Sequence, residues 1–228
     1  MGSPNPGVTV SRQRRTRGGS TKERARRGPP DELLLTAERL IAANGVDTVS
    51  LRQIASEAGC RNPSVVQYHF GDRVGLLRAI VEFRTPFIDR RLRELLEQLV
   101  EEGRQDDIRG IVEAMARPLL ELDRESLYLP FLARLYVQPE MDSTDLSMIG
   151  SVTSLPLLQS CLEVALAHLP PEVRAQRERM AADLAVTTLA NRRLREGSGA
   201  YPTLTDEQRA QGLFDAMAGL MDAPHTGG

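Results

Sequence analysis

The segment from Ser50 to Leu77, SLRQIASEAGCRNPSVVQYHFGDRVGLL, constrains the fold more than any other stretch of the chain. Ser50 is placed as an N-cap, its hydroxyl free to accept an orphan backbone N–H. Leu51, Ile54, Ala55 and Ala58 then fall on one helical face. Gly59 ends that helix, because glycine enters the left-handed conformation cheaply. Asn62 and Pro63 restart it as N-cap and first helical residue. Only about a turn and a half follows before Phe70-Gly71-Asp72, and a helix that short is not stable alone in water. Neighbours must hold it, which leaves its outer side chains free to meet a partner. The pattern is helix, tight turn, helix, and the start of a third helix capped by Asp72.

Those outer side chains are Arg61, Asn62, Ser64, Gln67, Tyr68 and His69. All can hydrogen-bond. Arginine suits guanine, Asn or Gln suits adenine, and hydroxyl or ring N–H groups suit the phosphate backbone. The plainer alternative is a helical hairpin with a polar face, since helix–turn–helix shapes recur in unrelated folds.

The residues also carry a resemblance. AERLIAANGVDTVSLRQIASEAG and QYHFGDRVGLLRAI, within Leu33 to Val81, resemble the DNA-binding domain of the TetR family of bacterial transcriptional repressors. Tyr68-His69-Phe70, followed by Arg73 and Leu76-Leu77, is the most specific part. The turn from Gly59 to Tyr68 is one residue longer than the common family pattern, and Arg61-Asn62 fits a branch with the longer turn. Base contacts therefore do not transfer by position. The resemblance implies an all-α fold: a three-helix DNA-binding domain, then a helical ligand-binding and dimerisation domain. It implies a homodimer whose recognition helices enter successive major grooves of a roughly palindromic operator. It also implies a small-molecule effector, apolar or amphipathic, that changes the separation of the two heads.

Charge is unevenly spread. Residues 1–28 hold eight Lys or Arg (Arg12, Arg14, Arg15, Arg17, Lys22, Arg24, Arg26 and Arg27) against Glu23, a net +7. The remaining chain holds 21 basic and 30 acidic residues, a net −9. A basic tail on an acidic body is the asymmetry expected where one end meets a polyanion. The tail is Gly-, Pro-, Ser- and Arg-rich, so disorder in the free state is expected. Cys60 and Cys161 have no metal-ligand spacing and read as reduced thiols, the cytosolic default. No apolar run nears the roughly 18 residues of a membrane span. The basic N-terminal run lacks a signal peptide's apolar core.

Four regions follow: a basic tail over 1–28, a DNA-binding domain over 29–83, a helical body over 84–222, and a flexible tail over 223–228. Leu33, Leu34, Ala37, Leu40 and Ile41 form the buried stripe of the first helix. Pro86 is expected to kink or break the helix that begins after Asp72, at the junction of head and body. Beyond it, helices are expected over 106–122, 126–137, 144–168, 171–195 and 205–221, with bends at Pro118 and Pro156.

The expected DNA contacts are Ser50, Tyr68, His69 and Arg73 to phosphates and Arg61, Asn62, Ser64, Val65 and Gln67 to base edges, with Arg52 also among the DNA-binding residues. A pocket in the body would draw on Met115, Leu119, Phe131, Leu135, Met148, Val152, Leu155 and Leu184, although an apolar stripe at helical spacing is core more often than pocket. By the resemblance, a four-helix dimer interface would use Met180, Thr187, Asn191 and Leu194 with Leu213, Phe214, Met217 and Leu220; the alternative is core within one chain. Dimerisation has a second argument, since one short reading helix makes too few contacts for useful specificity. No GxGxxG, P-loop, HExxH or GxSxG is present, so no catalytic residue, metal or cofactor is expected. The expected setting is the cytoplasm, on the nucleoid. The competing readings are an all-helical carrier or enzyme, and a DNA-binding protein without an effector.

Overall fold

The computed structural model describes residues 29–123, 126–137, 152–195 and 204–225, with helices and no strand among them. The helices are α1 (Pro29–Asn44), α2 (Leu51–Glu57), α3 (Val65–Phe70), α4 (Arg73–Glu101) and α5 (Ile108–Leu120), then α6 (Tyr128–Tyr136), α7 (Leu155–Ala165), α8 (Pro171–Arg195) and α9 (Asp206–Asp222). The basic tail, Met148 and most of the segment before Leu155 lie outside the described residues.

α1 to α3 and the first turns of α4 make a three-helix head. Its core is Leu33, Ala37, Ile41, Ile54, Ala55, Val66, Leu76 and Ile80, each at most 2% exposed. Ser50 accepts from the Gln53 N–H at 3.1 Å and caps α2. The α2 exit is closed by Cys60 N–H donating to Ala55 O at 2.9 Å, across Gly59 at φ +74°. Asp72 caps α4 by accepting from Gly75 N–H at 2.8 Å.

Pro86 does not break the chain's longest helix. α4 runs unbroken for 29 residues through it. The proline is exposed, so its ring projects outward and the acceptor left without a donor lies on the solvent side. No linker therefore separates head from body, and residue 83 falls inside a helix. Pro156 lies in the first turn of α7, where its missing N–H costs nothing, so it starts that helix and does not bend it. Pro118 is accommodated, buried, inside α5.

In the body, α5 packs on α4, α8 and α9, α8 packs on α6 and α9, and α7 lies against α4 and α5. Leu213, Phe214 and Met217 face this core at 6%, 0% and 0% exposure. They pack within one chain and present nothing to a second copy, which corrects their place in the expected interface. Phe131 and Leu135, both 0% exposed, are likewise sealed core and no pocket wall.

Head and body are also locked laterally, because α1 packs against α6. At that contact Glu38 of α1, 3% exposed, accepts from Arg84 of α4 through two bonds of 2.9 and 3.0 Å. It also accepts from Ser126 Oγ at 3.2 Å and from Leu127 N–H at 3.1 Å, at the start of α6. Burial raises the Glu38 carboxyl above its ordinary range; Arg84 and the other donors pull against that.

Candidate nucleic-acid interface

The reading surface is built by bracing a helix that cannot support itself. α3 has six residues, and Val66 is its buried anchor. Its far end is fixed by contact with α4: a Cβ on Gly75 would lie 2.0 Å from Phe70 O. Glycine is required there by close approach. Arg73 donates to Val46 O, tying the start of α4 to the loop between α1 and α2. The same arginine was expected at a phosphate; it is half-buried and one nitrogen is already committed.

The structure brings Arg61, Asn62, Ser64, Gln67, Tyr68 and His69 to one exposed edge, with Tyr68 85% exposed. The Tyr68 and His69 rings meet edge to face at 5.2 Å. Arg52 is exposed on α2, and Ser50 is exposed with its oxygen accepting as a cap while its O–H remains a donor. Val65 is half-buried against the head's core.

Asn62 does not cap α3 directly. Its Oδ1 accepts from Ser64 N–H at 2.9 Å, closing an Asx turn two residues ahead of Val65. Ser64 stands at the cap position with no side-chain bond. One lone pair of Asn62 Oδ1 is therefore occupied, and its NH₂ group makes no hydrogen bond among the described residues.

Five arginines stand against seven carboxylates between residues 29 and 83, so the head has no excess of positive charge. Arg52 and Arg61 pair with no carboxylate among the described residues, which leaves both available to an anion.

A second feature lies in the body. A cavity of about 170 Å³ opens between α4, α5, α6, α8 and α9. Met115, Leu119 and Val152, three of the residues named for a pocket, line it. Leu155 is instead exposed, and Leu184 packs on the core outside the lining. Tyr128, Leu132 and Tyr136 supply the wall that the sequence reading missed. They recur every four residues along α6, one stripe over from buried Phe131 and Leu135. Met217, expected at an interface, is also on the wall. Among the described residues no helix is long and apolar enough to cross a membrane.

Comparison with known proteins agrees with the head. Residues 33–80 match the family model described as bacterial regulatory proteins, tetR family. No curated protein matches the chain. Similar solved structures include a TetR-family transcriptional regulator, PfmR, from Thermus thermophilus. It is 14% identical, with 86% of this chain and 97% of that one covered and a TM-score of 0.47. Another is NalD, the secondary repressor of the MexAB-OprM multidrug efflux pump in Pseudomonas aeruginosa. It is 21% identical, with 83% and 94% covered and a TM-score of 0.45. The match lies within the head, where the matched residues include the braced helix and its Tyr68-His69-Phe70 edge. On that match, residues 33–80 are similar to the DNA-binding head of bacterial regulatory proteins of the tetR family.

Proposed function

We propose that this regulator is a cytoplasmic homodimeric repressor that reads a roughly palindromic operator and releases it when a small apolar or amphipathic molecule enters the body. It has no catalytic role in this reading. The observation that carries it is the exposed edge of six hydrogen-bonding side chains on a helix held from behind by Val66 and Gly75. Arg61, Asn62, Ser64 and Gln67 meet base edges, with Val65 at their margin. Ser50, Arg52, Tyr68, His69 and the free nitrogens of Arg73 meet phosphates.

Two features support a dimer. Met180 and Leu194 stand 49% and 58% exposed on α8, in line with exposed Thr187 and Asn191. On α9, Gly212, Ala216 and Gly219 are exposed, and a Cβ on either glycine would meet nothing within 4 Å. Glycine inside a helix costs about 0.5–1 kcal/mol relative to alanine, and nothing within the chain requires it there. A second helix approaching closely would. Leu220 is half-buried beside them.

The cavity supports an effector, and it is connected to the head. Arg84, the partner of Glu38, lies 6.0 Å from the centre of the Tyr128 ring. A molecule that moves Tyr128 disturbs Arg84, and through Glu38 the helix α1 of the head.

Arg61→Ala and Gln67→Ala test the reading surface. Each should lower affinity for a selected site by about 1–3 kcal/mol while leaving affinity for random duplex little changed. An unaltered preference in both variants, measured by competition binding, overturns the assignment.

A further inference from the structure

We infer that the effector cavity takes an uncharged ring compound of about benzene size carrying one hydrogen-bond-accepting oxygen, and that the hydroxyls of Tyr128 and Tyr136 recognise that oxygen. This rests on the reading of the cavity as the effector site.

Size comes first. At about 170 Å³ the space is close to that of an engineered apolar cavity of about 150 Å³ that binds benzene. One substituted ring fits a space of that size.

Charge comes next. Ile88, Met115, Leu119, Leu132, Val186 and Met217 make half of the wall, and among the described residues no Asp, Glu, Lys, Arg or His lines it. The nearest charges are already paired. Glu38 with Arg84 lies behind Tyr128, and Asp183 with Arg179, 3.3 Å apart, lies behind Tyr136. An anionic or cationic ligand would enter with no counter-charge, which a low-dielectric site penalises heavily. The two methionines give the wall some adaptability of shape.

Polar recognition then falls to three side chains, Thr85, Tyr128 and Tyr136. Thr85 Oγ1 already donates to Val81 O at 2.9 Å. Tyr128 is 2% exposed, and no described residue gives its hydroxyl a hydrogen bond. No described side-chain nitrogen or oxygen is sealed from access without a partner. The Tyr128 hydroxyl therefore opens on the cavity. Tyr136 lines the same space, eight residues further along α6. Buried phenols hold their protons, so both are donors: burial pushes the Tyr128 and Tyr136 hydroxyls above their ordinary range. Two donors without an acceptor in an apolar chamber select a ketone, ester or ether oxygen and discriminate against a plain hydrocarbon.

Calorimetric titration of the full chain with acetophenone, ethylbenzene and benzoate tests this. Acetophenone should bind about two- to tenfold tighter than ethylbenzene, the worth of a net hydrogen bond, and benzoate should give no binding. Tyr128→Phe should bring acetophenone to the level of ethylbenzene and leave ethylbenzene unchanged. Tyr136→Phe provides the same comparison should the first variant fail to fold. Equal binding of ketone and hydrocarbon, tighter binding of benzoate, or no binding of any probe overturns the inference. Release of a selected DNA site is scored separately. A ketone that binds as expected but releases no DNA upholds the ligand class and defeats the effector reading. Release by ketone and hydrocarbon alike, at equal affinity, does the reverse.

Discussion

Asn62 is one side chain proposed to serve fold and recognition together. Its oxygen holds the turn ahead of α3 through the Ser64 N–H, and its NH₂ group has no hydrogen-bond partner among the described residues. Asn62→Asp keeps the acceptor for that turn, removes the amide donor and adds a negative charge beside the phosphates. Stability should change by less than about 0.5 kcal/mol, as for a surface substitution, while DNA affinity falls at least about tenfold. Thermal melting and a binding titration check both halves; a large loss of stability would mean that the amide nitrogen, too, is structural. Asn62 was expected to cap α3 and instead closes the turn before it, but most helix caps are legible in sequence because they are local. Ser50, Asp72 and Thr205 all cap where their residue types and spacing indicate. The cavity tyrosines were not legible for the converse reason. Tyr128 and Phe131 belong to the same short apolar helix, and only the packing of α1 and α8 decides which stripe meets empty space.

At the scale of elements, α4 decides how the head is held. Local rules mark Pro86 as a breaking point because a proline inside a helix removes a donor. The tertiary structure overrides that local cost by burying Leu76, Leu77, Ile80 and Val81 on the head side and Leu92, Leu96 and Leu99 on the body side of one continuous rod. The Glu38–Arg84 pair adds a lateral tie that single-sequence reading cannot find, since its partners are 46 residues apart. The other end of α4 sets the tilt of α3. Gly75→Ala places a methyl group against Phe70 O, a backbone atom that moves only with the whole recognition helix. The variant should lose about 1–3 kcal/mol in a urea melt, and its DNA affinity should fall with it. A stable, fully binding Gly75→Ala would show that the head tolerates a different seating of α3.

Across the whole molecule, charge and symmetry decide how DNA is met. The head has no net positive charge of its own, while residues 1–28 carry +7. We propose that the tail supplies long-range attraction to DNA and the head sequence preference. Removing residues 1–28 should weaken binding and flatten the dependence of affinity on salt by about 0.9 in log–log slope for each phosphate that the tail no longer neutralises. An unchanged slope would leave the tail without a role in binding. Specificity, in turn, requires two copies, because a six-residue helix reads only a few base pairs. Whether two such helices read DNA together is decided by selecting bound sites from random duplex DNA with the full chain. A dimeric reader should enrich a roughly palindromic sequence whose half-sites are centred about one helical turn, 34–36 Å, apart or a multiple of it. Enrichment of a single asymmetric site, or of no sequence at all, would contradict it.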